Sequence, residues 1–261
     1  MINVTVLTER NLGGLTIETV VERLRYINAL FYGPPGVGKT VLAGSADAVP
    51  EMRPVLFIDV EGGTMSLRNF YPEVDVVRVQ TWQDMQKVYD ALYDGDHGYS
   101  TVVLDSLTEI QKFSMYNIMR ALVRKEPDRD PDIPGMREWG KNIEQIRALV
   151  RAFRDLPVHT IFTALVAIDK DSKTGISQAR PSLSGKLSAE VGGFVDIVGY
   201  TYTKVIEGQI ERFILTQGTD RQIAKDRSGR LPQVIESPTM EKIYTYAMTD
   251  QVEASTDEGE E

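Results

Sequence analysis

Residues Gly33-Pro34-Pro35-Gly36-Val37-Gly38-Lys39-Thr40 form a phosphate-binding loop that matches G-x-x-x-x-G-K-[ST] at every required position. Three glycines free the backbone of Cβ atoms, so that its amides can wrap closely around a triphosphate. Lys39 is expected to contact the β- and γ-phosphates, and the Thr40 hydroxyl is expected to bind Mg²⁺. The octapeptide therefore predicts a site for a nucleoside triphosphate with its Mg²⁺ ion.

The residues on either side of the loop support this interpretation. Residues 26–32 are a short apolar run that is typical of a buried strand, and residues 40–46 favour a helix. A helix that begins at the loop directs its positive N-terminal end at the phosphates. Strand, loop and helix agree, which argues against a chance glycine-rich turn.

The composition is that of a globular protein, with 42% hydrophobic and 26% charged residues among 261. Cysteine is absent, which excludes disulfides and thiolate metal sites. With two histidines, His97 and His159, a histidine-based metal centre is not expected. No apolar run is long enough for a membrane span, and the N-terminus lacks a signal pattern, so we expect a cytoplasmic protein.

Acidic residues are concentrated at the end of the sequence. The formal net charge is −9, and six of the 38 acidic residues lie in residues 250–261, which contain no lysine or arginine. We therefore expect residues 1–249 to form one domain and residues 250–261 to be an acidic, disordered tail. Such a tail either serves solubility, or competes with nucleic acid for a basic groove or recruits a partner.

Short apolar segments alternate with helical patterns over the first two thirds of the chain. Thr81 is a candidate N-cap for a helix in which Trp82, Met85 and Val88 recur at helical spacing. Further strands are expected at residues 54–59, 75–79, 101–105 and 158–165, and further helices at residues 108–124 and 139–153. This alternation predicts an α/β fold with a mainly parallel central sheet flanked by helices.

The pattern changes after Ile168. Residues 169–175 form a polar loop or hairpin tip, and turns are expected at Glu207-Gly208 and at Gly218. Antiparallel strands are expected at residues 194–204, 210–216 and 221–224. The sequence thus predicts a C-terminal antiparallel β extension of the same domain.

Hydrolysis of a nucleotide requires an acid that holds Mg²⁺ through water and a base that orients the attacking water. Asp105 ends an apolar strand and is the natural acid on the metal side. Because Ser106 follows it, where many ATPases of the helicase and chaperone-motor type have a glutamate, the base must come from elsewhere. Glu61 lies just beyond the strand that ends with Asp59, at the carboxyl edge of the sheet, and is the preferred base. Glu109, in the first turn of the next helix, is the alternative.

These segments resemble a known family. Residues 57–62 (FIDVEG) are similar to the second-strand signature of RecA-type recombinases, whose glutamate is the hydrolytic base. Residues 103–106 (VLDS) resemble the magnesium-side motif of that family, including the serine. From about residue 26 to residue 237 the arrangement is similar to phage-encoded RecA-like ATPases, which include single-strand annealing proteins. The resemblance implies a RecA-like P-loop NTPase that uses ATP and Mg²⁺.

A second element resembles the lysine-x-arginine motif of hexameric replicative helicases in the same superfamily. It lies in residues 223–229 (IAKDRSG) and contains Lys225 and Arg227. In those helicases both cations reach the γ-phosphate bound by a neighbouring subunit, which implies a homo-oligomer with nucleotide at the subunit interface. Two positions apart on an expected strand, the two side chains project from one face, and we expect them to be unpaired at an exposed rim.

Single-stranded DNA is the partner that the resemblance implies, with a single-strand binding protein as a further expected partner. Basic residues populate the loops that line the DNA channel of RecA-like folds, namely Lys125, Arg129, Arg137, Lys170, Lys173, Arg180 and Lys186. Acidic residues among them dilute any attraction for phosphate. Trp139 is able to stack on a base, but its spacing with Ile143 and Ile146 predicts a place in the core.

We expect ATP-dependent annealing or strand exchange in phage-type recombination, and hence a place in the host cytoplasm. The alternative is an ATP-gated module that loads or recruits replication proteins and has little affinity for DNA. A small-molecule kinase is disfavoured because no arginine-rich lid is evident. Two departures from recombinases stand out. Only Thr163 is polar where their switch residue falls, in residues 163–165, and only 25 residues precede the first strand, so their N-terminal oligomerisation domain is not expected.

Overall fold

The computed structural model of the protein describes residues 10–17, 26–170 and 175–248. The expected tail, residues 250–261, lies outside these residues. The strands are β1 (Arg10–Leu12), β2 (Leu15–Ile17), β3 (Asn28–Gly33), β4 (Val55–Asp59), β5 (Asp75–Arg78), β6 (Thr101–Asp105), β7 (His159–Lys170), β8 (Ser177–Pro181), β9 (Ile197–Ile206), β10 (Gln209–Leu215), β11 (Lys225–Asp226) and β12 (Val234–Glu236). The helices are α1 (Lys39–Gly44), α2 (Leu67–Phe70), α3 (Trp82–Tyr93), α4 (Leu107–Val123), α5 (Met136–Arg154), α6 (Leu187–Glu190) and α7 (Met240–Met248).

One sheet organises the chain from residue 28 onward. Its main path runs in the order β12-β10-β9-β3-β7-β6-β4-β5, while β8 pairs with β7 and β11 pairs with β9. The neighbours from β9 to β5 are all parallel. The pairs β9–β10, β10–β12, β9–β11 and β7–β8 are antiparallel. This arrangement confirms the expected α/β fold with a mainly parallel centre and a C-terminal antiparallel extension.

The parallel strands are buried on both faces, as their continuous apolar sequences require. Leu30 and Tyr32 of β3 point to one face, where they belong to the core covered by α3, α4 and α5. Ala29 and Phe31 point to the other face, where α1 and α7 cover a second core. Because both faces are covered, polar groups that must meet a ligand are left to the edge where the parallel strands end.

Most expected elements are present with boundaries shifted by a few residues, and Thr81 caps α3 by accepting a hydrogen bond from the Asp84 amide at 3.1 Å. The expected strand at residues 221–224 is wrong. There the Thr219 hydroxyl accepts hydrogen bonds from the backbone amides of Arg221 and Gln222, each at 3.1 Å. These bonds hold residues 219–222 in a turn in place of the expected strand. The strand begins only at Lys225.

The expected core position of Trp139 is also wrong. Its side chain is 43% exposed, whereas Ile146 further along α5 is buried. Trp139 lies in the first turn of that helix, next to the fully exposed Met136, and this turn extends past the apolar cluster. Helical spacing identified the correct face of α5, but not how far along it the core reaches.

Candidate functional site

The phosphate-binding loop connects β3 to α1 at the carboxyl edge of the sheet. Gly36 and Gly38 have φ angles of 74° and 100°, in the left-handed region that favours glycine. Gly33 is required for a different reason, because a Cβ atom there would lie 2.3 Å from the Thr201 carbonyl oxygen on β9. The loop therefore needs these glycines both for its own path and for the close approach of the neighbouring strand.

Lys39 lies within the loop that it serves. Its side chain is nearly buried, and Nζ donates hydrogen bonds to the carbonyl oxygens of Pro34 at 2.8 Å and Gly33 at 3.1 Å. Burial lowers the pKa of Lys39 below its ordinary value, while the nearby carboxylates of Asp105 and Glu61 act in the opposite direction. Two acids and the lysine thus share one electrostatic environment at the loop.

Thr40 and Asp105 lie side by side, as the predicted Mg²⁺ site requires. The Thr40 hydroxyl donates to Asp105 Oδ2 at 2.7 Å, and the Thr163 hydroxyl on β7 donates to Asp105 Oδ1. Magnesium favours oxygen ligands and is typically held by one or two protein groups together with phosphates and water. A hydroxyl next to a single carboxylate fits this preference, and within residues 26–170 and 175–248 no cluster of three or more metal-ligating side chains competes with it.

Glu61 lies beside the end of β6, the strand that ends with Asp105. The Ser106 hydroxyl donates a hydrogen bond to Glu61 Oε1, so that the residue after Asp105 fixes the candidate base. Asp59 shapes the turn that carries Glu61, because its Oδ1 accepts from the Gly62 amide at 2.8 Å. Glu109, the alternative base, instead forms an ion pair with Lys112 on α4. The geometry thus brings the carboxylate of Glu61, and not that of Glu109, to the Ser106 hydroxyl.

Lys225 and Arg227 lie at the opposite edge of the sheet from the loop of their own chain. Arg227 donates to Asp196 at 2.7 Å, and Asp196 precedes β9 beside Asn28, where β3 begins. The length of β3, roughly 16 Å at ~3.3 Å per residue, separates this edge from Gly33. The two cations therefore have no contact with the phosphate loop of the same chain.

The expectation that these two cations are unpaired is wrong. Lys225 Nζ donates to the carbonyl oxygens of Gly192 at 2.8 Å and Val195 at 2.9 Å, and Arg227 forms the Asp196 pair. Burial lowers the pKa of Lys225, and the neighbouring Arg227 acts in the same direction. As expected, both side chains point to the same side, but that side faces the segment before β9 and not solvent alone.

A cavity of about 290 Å³ lies on the other side of α1 from Asp105. It is lined by Val37 and Gly38 of the loop, by Phe70 and Tyr71 after β4, and by Arg212 of β10, among others. An apolar cavity next to a phosphate loop has the character of a nucleobase site. The sequence reasoning missed Arg212, because the residue lies far from the loop in the chain and belongs to no motif.

The start of α4 is fastened to the segment that follows the β7–β8 hairpin. Gln111 Nε2 donates to the Ser182 carbonyl oxygen at 3.0 Å, and Gln111 Oε1 accepts from the Ser184 amide at 3.0 Å. The Thr108 hydroxyl accepts from the Leu165 amide at 3.0 Å. Since α4 follows Asp105 and Ser106 directly, this clamp links the site to the hairpin.

The charged loops expected to meet DNA are described except for Lys173, which lies outside the described residues. Two of their cations are paired, since Arg180 lies 3.3 Å from Asp169 and Arg129 lies 3.5 Å from Glu138. In the same described ranges, no helix is both long and apolar enough to span a membrane.

Comparison with known proteins gives one family assignment. A family model described as an AAA domain matches residues 25–228, which is most of the chain. No curated protein matches the sequence. A solved structure with similarity is a KaiC-like protein from the hyperthermophilic archaeon Pyrococcus horikoshii, at 14% sequence identity and a TM-score of 0.43. That alignment covers 72% of this chain and 77% of the archaeal chain.

Proposed function

The chain belongs to the AAA domain family, and from this premise we propose that it hydrolyses ATP and couples hydrolysis to the annealing or exchange of single-stranded DNA. The observation that carries the hydrolytic part is the convergence of Thr40, Asp105 and Glu61 beside Lys39. These are the parts that phosphoryl transfer to water requires, namely a cation on the phosphates, a metal site and a base.

Each residue has a separate role in the proposed reaction. Lys39 neutralises charge on the β- and γ-phosphates, and the loop amides hold their oxygens. Thr40 and Asp105 hold Mg²⁺, which when bound offsets the charge that develops on the transferred phosphoryl group. Glu61 orients the attacking water and accepts its proton. Ser106 positions Glu61 through the hydrogen bond between them.

Coupling to DNA rests on the contacts that link the site to the β7–β8 hairpin. The Tyr32 hydroxyl, one residue before the phosphate loop, lies 3.0 Å from the Ala179 carbonyl oxygen of β8. The clamp of Thr108 and Gln111 contacts Leu165 in β7 and Ser182 just after β8. A change at either the loop or Glu61 therefore has a short bonded path to the hairpin, although Thr163, at the position of the recombinase switch residue, is buried beneath Asp105.

The proposal is tested by measuring ATP turnover with and without single-stranded DNA. In parallel, the mass of the protein assembly is measured with and without a non-hydrolysable ATP analogue. We expect stimulation by DNA and a larger assembly with nucleotide, because the proposed site is completed by a neighbour's Lys225 and Arg227. Lys39→Ala removes the charge on the phosphates and is expected to abolish productive nucleotide binding. Turnover of that variant at the wild-type rate would contradict the assignment of the loop.

The second candidate is an ATP-gated loader or recruitment module for replication proteins. The ion pairs of Arg180 with Asp169 and of Arg129 with Glu138 favour it, because paired cations attract phosphate less. This function predicts nucleotide-dependent capture of a replication protein, without measurable affinity for single-stranded DNA. Binding of a labelled oligonucleotide, measured by fluorescence anisotropy at a stated salt concentration, distinguishes the two candidates.

A further inference from the structure

Thr163 lies on β7, between the strand that leads into the phosphate-binding loop and the strand that ends with Asp105. It pairs with Phe31 of β3, and the residue before it, Phe162, pairs with Leu104 of β6. The parallel register therefore sets Thr163 beside Asp105, at the carboxyl edge of the sheet. The side chain of Thr163 is 0% exposed, so it lies beneath the site and not at its surface.

Asp105 is a carboxylate that is almost buried, with 5% exposure. A charge in such a place is costly unless hydrogen bonds compensate for the loss of water. In the part of the chain that the structure describes, two side-chain hydroxyls donate to this carboxylate, Thr40 to Oδ2 and Thr163 to Oδ1. Each oxygen is thus held from a different element, α1 or β7, and the two bonds together fix the orientation of the carboxylate.

The two hydroxyls differ in their relation to a bound nucleotide. Thr40 is a proposed ligand of Mg²⁺, so its oxygen serves both the metal and Asp105. Thr163 is fully buried, so a ligand has no access to it. Its branched side chain has few accessible χ1 rotamers, which keeps the hydroxyl directed at Asp105. Any effect of Thr163 on a ligand therefore passes through Asp105.

We propose that Thr163 is a positioning residue of the Mg²⁺ site, which holds the Asp105 carboxylate in the orientation that the metal requires and so strengthens the binding of nucleotide together with Mg²⁺. The inference rests on the proposed hydrolysis of ATP, in which Thr40 and Asp105 hold Mg²⁺, and does not depend on DNA. Hydrogen bonds that orient a metal-holding carboxylate typically contribute roughly 10- to 100-fold to metal affinity or activity.

Thr163→Val tests the inference, because it removes the hydroxyl and keeps the branched shape of the side chain. The affinity for a fluorescent ATP analogue is measured by anisotropy with saturating Mg²⁺ and again with EDTA, and the ratio of the two affinities gives the contribution of the metal. We expect this ratio to fall about 10-fold, towards one, while the affinity in EDTA stays at the wild-type value. A hydrogen bond that serves only the fold would leave the ratio unchanged, and that result would overturn the inference.

Thr160→Val is the matched control on the same strand. Thr160 is also 0% exposed, and its hydroxyl donates to the Phe153 carbonyl oxygen of α5 at 3.0 Å, away from the nucleotide site. Both valine variants lose one buried hydrogen bond and are expected to be less stable, but only the change at Thr163 is expected to alter the ratio. An equal fall of the ratio in the two variants would overturn the inference.

Thr163→Ser keeps the hydroxyl without the methyl group, and most of the wild-type ratio is expected to return. If Thr163→Val does not fold, Thr163→Ala takes its place, since alanine removes the same hydroxyl with a smaller side chain. A serine variant whose ratio is as low as that of the valine or alanine variant would overturn the role of the hydroxyl. A wild-type affinity that does not depend on Mg²⁺ would instead overturn the metal site of the proposed function as well.

Discussion

The Arg227 guanidinium lies 2.7 Å from the Asp196 carboxylate of the same chain, at the sheet edge opposite the phosphate loop. An arginine in this position reaches a γ-phosphate only if a second chain presents its loop to that edge. The contact with Asp196 therefore stands in competition with any contact across a subunit boundary. This competition provides a test of the shared site.

Arg227→Ala is expected to lower ATP hydrolysis by roughly 10³-fold while ATP binding persists, as for other trans-acting arginines. Asp196→Asn is the control, because it removes the intrachain ion pair and leaves the arginine in place. If Arg227 acts only through Asp196, both variants lose activity equally. If it acts on a neighbour's phosphate, Asp196→Asn stays active. Steady-state ATP turnover measures both.

Mixing two inactive variants tests the same model in a second way, because activity that returns on mixing shows that both variants are folded. Arg227→Ala and Lys39→Ala are each expected to be inactive, but a mixed assembly contains some interfaces with an intact loop and an intact arginine. Activity is therefore expected to return in part, and the specific activity of the wild type is expected to rise with protein concentration. Turnover that is independent of concentration, without recovery on mixing, would remove the shared-site model.

Glu61→Gln is expected to keep nucleotide affinity and to lose hydrolysis by roughly 10²-fold or more, because the amide retains the shape of the side chain but not its basicity. Glutamine also retains an oxygen that accepts from Ser106. Single-turnover hydrolysis measured beside equilibrium binding of a fluorescent ATP analogue separates the two effects. Glu109→Gln is the matched control, since Glu109 pairs with Lys112, and the opposite pattern would make Glu109 the base.

Gly33→Ala is expected to destabilise the fold, because its Cβ would lie 2.3 Å from a backbone oxygen of Thr201 that cannot rotate away. Overpacking of this kind costs about 1–3 kcal/mol, and a backbone neighbour places it at the upper end. The control is Gly63→Ala, which meets open space at an ordinary φ angle. Denaturant unfolding of both variants is the measurement, and an equal effect at the two positions would contradict the clash.

Acid is expected to destabilise the protein through His159. Burial lowers the pKa of His159 to about 4, and its Nδ1 accepts a hydrogen bond from the Ile27 amide at 2.9 Å. The histidine is neutral in the fold, so its contribution is complete above its ordinary pKa of 6.5 and is lost as pH falls from 6.5 towards 4. The free energy of unfolding should fall by about 1.4 kcal/mol per pH unit in that window. His159→Asn keeps an acceptor without this titration, and an identical pH dependence in that variant would refute the assignment.

The architecture could be predicted from the sequence wherever a local pattern is compatible with only one kind of structure. The octapeptide required a strand before it and a helix after it, and the apolar runs ending in Asp59 and Asp105 required parallel neighbours buried on both faces. Asp105 could be proposed as the metal-side acid because a carboxylate at that edge has no role in the core. The geometry then supports Glu61 over Glu109 through the hydrogen bond from Ser106 to Glu61, which joins the segments that follow β6 and β4.

Other features were not predictable because they depend on distant parts of the chain. Nothing near Arg212 indicates that β10 returns to the phosphate loop, and nothing near Arg227 indicates that Asp196 will meet it. Trp139 shares its helical face with Ile146, but the depth of the core along α5 is set by the packing of other elements. Residues 221–224 have a weak strand pattern, but the first two of them form a turn because their amides donate to the Thr219 hydroxyl.

Two factors limit substitution at Gly38: its own backbone conformation and the neighbouring side chain of Arg212. A Cβ at position 38 would lie 3.1 Å from Arg212 Nε, and the φ angle of 100° would disfavour any side chain even without that arginine. Shortening Arg212 thus creates space that position 38 is unable to use. In a scan of double substitutions, shortening Arg212 should therefore not restore the function or stability that a substitution of Gly38 removes. The mutational freedom of the loop is limited by its own backbone first, and only second by the strand that lies over it.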